Sequence, residues 1–187
     1  MPKQKSSKKP SDGPVAGEGK RLNSEFYADG ALVVAEKLVG KVLCRKLEDG
    51  SILRKRITEA EAYIGEEDSA CHARVGRTAR TSVMYESGGH VYMFVCYGIH
   101  NMFNVVTGKS GHPEVALIRG IAGYDGPGRV TKAMHMDKSL NGIDMTTSKV
   151  LWIEDDGFSF DIKKTKRIGI DYASEPYKSI EWRFVRC

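Results

Sequence analysis

Asp49-Gly50 lies between two stretches of extended-type residues, 41–47 and 52–63, and constrains the topology of this chain more than any other feature. Glycine accepts the positive φ that a tight reversal demands, so Asp-Gly between strand-like segments predicts an antiparallel hairpin. The pattern recurs downstream. Residues 90–97 are dense in Val, Tyr, Phe and Met; after Gly98, residues 102–107 read as their antiparallel partner, and residues 114–119 as a further buried strand. Strands joined by tight turns argue against the crossover helices of a parallel sheet. Helical spacing occurs in two places. Leu32, Ala35, Leu38 and Val39 follow a cap at Asn23 or Ser24 and precede a stop at Gly40, with Gly30 allowing two shorter pieces; Gly126-Pro127-Gly128 opens the other, through Val130, Ala133 and Met134. Short strands are expected at 150–153, 167–170 and 182–185. The predicted class is α+β: one domain over residues 22–187, with a curved, mainly antiparallel sheet, several helices and a protruding hairpin.

Residues 1–21 stand apart. Rich in Lys, Ser, Pro and Gly and nearly devoid of large apolar side chains, they read as a flexible basic arm carrying net +4 of the chain's formal +5. The body is nearly neutral, but its charge is uneven. Residues 69–136 hold Arg74, Arg77, Arg80, Lys109, Arg119, Arg129 and Lys132 against Glu86, Glu114 and Asp125, and contain all 5 histidines. Such a window suits either a polyanion partner or a plain solvated face. Cys44, Cys71, Cys96 and Cys187 lack paired spacing, which excludes a zinc knuckle or dense disulfide framework and leaves reduced thiols as the expectation. No apolar run approaches the roughly 20 residues of a membrane span, and the Lys-rich start lacks the apolar core of a secretion signal. The expected setting is intracellular, bacterial cytoplasm or eukaryotic nucleus, without membrane association.

Candidate chemistry concentrates in Glu59-Ala60-Glu61-Ala62-Tyr63-Ile64-Gly65, closely followed by Asp68 and His72. Alternation along a strand sends Glu59, Glu61 and Tyr63 to one face and Ala60, Ala62 and Ile64 to the other. Two carboxylates and a phenol on one surface suit general acid–base work. They equally suit the solvated face of an edge strand.

These residues, together with Glu67-Asp68, Ala70-Cys71-His72, the segment from Tyr97-Gly98 to Asn104, Ala116-Leu117-Ile118-Arg119, Gly126-Pro127-Gly128, Ile168-Gly169-Ile170 and Trp182-Arg183-Phe184, resemble the motifs of the alkyladenine (3-methyladenine) DNA glycosylases, in that family's order. The resemblance covers residues 22–185. It implies a monomeric repair enzyme that flips alkylated purines out of duplex DNA and hydrolyses the N-glycosidic bond, with neither metal nor cofactor. Glu61 would activate the water and Arg119 help hold it. Tyr63 and His72 would form one wall of the base pocket and Phe94 the other. Asn104 would discriminate against the amino group of guanine, and Tyr97, at a hairpin tip, would fill the gap left in the duplex. Arg74, Arg77, Arg80, Arg129 and Lys132 are the expected phosphate contacts. No lysine sits at a matched catalytic position, so a lyase step is not expected.

This chain departs from the family pattern in places. Phe94 stands where tyrosine is usual, the connection from Arg119 to Gly126 is short, and the chain ends at Cys187, soon after Trp182-Arg183-Phe184. Two rival readings stay open: a nucleic-acid-binding module without catalysis, and a metal-dependent hydrolase built on Glu59, Glu61, His72 and His90, whose spacing is poor for ligands.

Overall fold

The computed structural model describes residue 15 and residues 17–187, so most of the predicted arm lies outside the described residues. Its last two residues do not: Lys20–Arg21 form a short strand, β1. The remaining strands are β2 (Val42–Lys46), β3 (Ile52–Tyr63), β4 (Val91–Cys96), β5 (His100–Thr107), β6 (Glu114–Ile121), β7 (Tyr124–Asp125), β8 (Leu151–Asp155), β9 (Ile162–Thr165) and β10 (Arg183–Arg186). They join in one open antiparallel sheet ordered β1-β8-β2-β3-β6-β5-β4, with β10 pairing β3 and β9. Among the described residues the helices are α1 (Ser24–Tyr27), α2 (Ala31–Leu38) and α3 (Pro127–Ala133). The fold is thus α+β.

Gly30 does split the first helical stretch. Asn23 caps α1 by accepting from the Phe26 N–H at 3.2 Å, whereas α2 starts at Gly30 and borrows its cap from β6, where Glu114 Oε2 accepts from the Ala31 N–H at 2.6 Å. Ala31, Val34, Ala35 and Leu38 of α2 are buried in the main core with Ala60 and Ala62 of β3, Phe103 of β5 and Ile118 of β6. Each large side chain enclosed there contributes roughly 1.5–3 kcal/mol from apolar burial.

The opposite face of the sheet is covered by residues 66–89, irregular as expected, with 3₁₀ turns at His72–Val75 and Ser82–Tyr85. A second apolar cluster, including Cys71, Met84, Tyr92 and Val115, lies beneath it. A β-bulge decides which of these faces receives the acids. Leu53 and Ile57 pack with the main core, but so do Ala60 and Ala62, because register shifts flank Glu59 and leave Thr58 and Arg119 without direct partners. That one-residue change of phase turns Glu59 and Glu61 away from α2. Gly120 closes the bulge; a Cβ there would lie 2.8 Å from Thr58 Oγ1.

The edge-strand reading of the acidic segment is overturned. At Glu59–Glu61 the strand is paired on both sides, with β6 and with β10. Residues 167–170, read as a strand, instead form a loop, because Gly169 adopts φ 76°, a conformation that breaks extended pairing.

Candidate active site

A cavity of about 640 Å³ opens on the face opposite α2, between the end of β3, the turn at His72–Val75, the β4–β5 hairpin and the 167–172 loop. Tyr63, His72, Phe94, Asn104, Arg119, Arg74, Arg80 and Tyr97, drawn from widely separated segments, all line it.

Glu61 lies directly behind this wall and has no exposed surface. Each carboxylate oxygen is held. The Tyr63 hydroxyl donates to Oε2 at 2.9 Å, and the Ile168 N–H donates to Oε1 at 2.8 Å, with Arg119 Nε 3.4 Å from the same oxygen. Burial lifts the Glu61 carboxyl above the ordinary glutamate value, opposed by Arg119, Ile168 and Tyr63. The Tyr63 phenol is pushed up by burial and by the neighbouring charge of Glu61, so it stays a donor.

Arg119 is also an ion-pair partner of Glu59. Its Nε donates to Glu59 Oε1 at 2.9 Å, and Arg183 Nε reaches the same oxygen at 2.6 Å. Glu59 therefore sits between two guanidinium groups on neighbouring strands. Nothing in the sequence around Arg183 points to this position, since only the pairing of β10 with β3 brings it here.

Tyr63, His72 and Phe94, expected as the walls of a base pocket, all border the cavity. His72 and Phe94 are in edge contact, with ring centroids 4.4 Å apart and planes at 68°. Arg80 lies over Phe94, 5.4 Å from its centroid. His72 Nδ1 pairs with the Tyr92 hydroxyl at 2.9 Å; burial, with Arg80 and Arg74, holds the imidazole down to about 4, so it is neutral near pH 7. Asn104 donates from Nδ2 to the carbonyls of Tyr92 and Met102, at 3.2 and 3.4 Å.

Tyr97 stands at the tip of the β4–β5 hairpin with φ 50°, in the left-handed region unusual for a residue with a Cβ. Of the expected phosphate contacts, Arg74 and Arg80 line the cavity, while Arg77 stands 3.8 Å from Glu86. Arg129 and Lys132 are exposed on α3, whose Pro127 reaches the cavity wall. His90 Nδ1 pairs with the Ser87 carbonyl, and among the described residues no group of 3 or more His, Cys, Asp or Glu side chains is placed to share an ion. No described helix is long and apolar enough to cross a membrane.

Comparison with known proteins gives a consistent picture. Residues 25–125 and 122–186 match the family described as methylpurine-DNA glycosylase (MPG). A protein of Psychrobacter cryohalolentis is 42% identical over 183 residues, covering 82% of this chain and 86% of its own length. One of Natranaerobius thermophilus is 42% identical over 188 residues, covering 88% and 94%, and one of Methanocella arvoryzae is 40% identical over 183 residues, covering 87% and 90%. All of these relatives bear the name "Putative 3-methyladenine DNA glycosylase".

Proposed function

The chain belongs to the methylpurine-DNA glycosylase family, and from that premise we propose that it releases alkylated purines, chiefly 3-methyladenine, from duplex DNA by hydrolysing the N-glycosidic bond with a water activated by Glu61. The observation that carries this reading is a wholly buried carboxylate with a donor on each oxygen, set beside Arg119 at an aromatic-lined cavity. A glutamate whose proton affinity is raised by burial is a stronger base than one in water.

A base inside a duplex shields its glycosidic bond, so the damaged nucleotide must first leave the stack. Tyr97 fills the vacated place while the extruded base enters the cavity. Stacking on an aromatic face returns roughly 1–3 kcal/mol, comparable to the cost of unstacking, and an alkylated purine cation is drawn further to electron-rich rings. Water then bonds through oxygen to C1′ and yields a proton to Glu61. The electron pair of the C1′–N bond departs with the base, which leaves neutral if it entered as a cation, and an abasic sugar remains. Positive charge building on the sugar is stabilised by the same carboxylate. The proposed reaction is hydrolysis alone, without a Schiff-base step.

Incubating dimethyl-sulfate-treated duplex with wild type and with Glu61→Gln tests the reading. Wild type should release 3-methyladenine, and the variant should do so about 100- to 10,000-fold more slowly. Equal release by both would remove Glu61 from the chemistry, and none by the wild type would leave a nucleic-acid-binding module.

A further inference from the structure

Arg167 takes no part in the chemistry above, yet its guanidinium is wholly buried behind the cavity wall. It forms a two-pronged ion pair with Asp68, at 2.6 Å from Nη1 to Oδ2 and 3.0 Å from Nη2 to Oδ1, and neither side chain is exposed. Nη1 also donates to the Ala62 carbonyl at 2.9 Å, and Nη2 to the Tyr177 carbonyl at 3.1 Å. The guanidinium lies over the Tyr63 ring, 4.6 Å from its centroid, and 5.2 Å from that of Trp182. Asp68 accepts in turn from the N–H of Ala70 at 3.0 Å and more weakly from that of Ile64 at 3.4 Å.

One ion pair thereby ties β3 to both loops that flank the cavity. The tied pieces are those that grip Glu61. Tyr63, whose ring rests against the guanidinium, donates to Oε2; Ile168, the next residue after Arg167, donates to Oε1. Stability gives little reason for such a device, because desolvation of both charges offsets most of their attraction and an apolar pair of equal volume often does as well. Fixing geometry is the better-supported use of a buried pair with directional hydrogen bonds.

We propose that Arg167, locked by Asp68, is a positioning residue for Glu61: it sets the Tyr63 hydroxyl and the Ile168 N–H on the two carboxylate oxygens and keeps a positive charge behind them. The proposal rests on Glu61 being the base. Around that carboxylate stand Glu59 and Tyr63 on β3, Arg119 on β6, Arg183 directly across on β10, and Arg167 and Asp68 behind. Removing the Arg167 charge disfavours ionised Glu61; removing the Asp68 charge favours it.

The test is single-turnover release of 3-methyladenine from dimethyl-sulfate-treated duplex between about pH 5 and 9, with thermal unfolding and DNA affinity measured alongside. Arg167→Met should move the acid limb of the rate profile up by about one pH unit and slow release near neutrality about tenfold, with affinity kept within about twofold. Arg167→Lys should restore the limb but not the full rate, since an ammonium lacks the two-pronged geometry. Asp68→Asn should move the limb the other way. Folded variants with an unmoved limb, whatever their unfolding temperature, overturn the proposal. If neither Arg167 variant folds, Asp68→Asn decides by the same criterion; failure of all three to fold would assign the pair to the scaffold and likewise overturn it. Glu61→Gln serves as the control: substantial release by it would sink the general-base reading itself, whereas an inactive Glu61→Gln beside an unmoved limb would sink only the role of Arg167.

Discussion

On the β3 side of the cavity, the Glu61 carboxylate has no exposure and a donor on each oxygen, while on the hairpin side Tyr97 is 91% exposed and Ile99 73% exposed. The first side is tied by Tyr63, Ile168, Arg119 and the buried Arg167–Asp68 pair. The second holds a tyrosine in a left-handed backbone conformation that costs of order 1–2 kcal/mol, and a phenylalanine resting edge-on against His72. Groups that must stabilise charge as it develops gain from being fixed beforehand, because no reorganisation is then needed during reaction. On the proposed mechanism, a group that penetrates the duplex has to project from the surface, as Tyr97 does. Substitutions on the two sides should therefore separate into losses of rate and losses of binding.

After Glu61→Gln, the largest such effect is expected at Arg119. Arg119→Gln should slow single-turnover base release by roughly 100- to 1,000-fold, with duplex affinity changed only a few-fold. A comparable loss of affinity at unchanged rate would break the division between the two sides. Next in size are the hairpin residues. Tyr97→Ala and Phe94→Ala should each cost roughly 1–3 kcal/mol in kcat/KM, recovered in large part at saturating enzyme and substrate, and Phe94→Tyr should keep the stacking. If either alanine variant lowers only the saturated rate, the hairpin belongs to the chemistry after all. The smallest effects concern the basic rim. Arg74→Gln should reduce the slope of log affinity against log salt by about 1, whereas Arg77→Gln should change it less, since Glu86 lies 3.8 Å from that guanidinium. Equal slopes for the two variants would deny Arg77 its distinction.

Much of the sheet was legible because its signals are local. Asp49-Gly50, the apolar run before Gly98 and the helix-breaking Gly30 each act over a few residues, and β2–β3, β4–β5 and the α1/α2 pair follow them. Alternation also placed Glu59, Glu61 and Tyr63 together. What it could not supply was the bulge at Thr58, which decides whether that face meets α2 or the cavity, nor the cover by β10, contributed from 124 residues further along the chain. The loop after Arg167 misled for a definite reason: Ile-Gly-Ile has the alternation of a strand, and only the φ of Gly169 reveals a turn. Ile168 enters the site through its backbone N–H, a group every residue but proline possesses, so nothing in its side chain could announce the role. The contact between His72 and Phe94 was equally hidden, because sequence identifies rings but not their separation.

The central claim is that the buried Glu61 carboxylate must be ionised to take a proton from water. Its most direct test is the pH dependence of single-turnover 3-methyladenine release by wild type and Glu61→Gln measured side by side. Burial raises the carboxyl's proton affinity, so the wild-type rate should fall with acidification through a midpoint above the ordinary glutamate value, and the variant should be slow and flat over the same range. A Glu61→Gln enzyme that keeps both the wild-type rate and its acid limb would contradict the account.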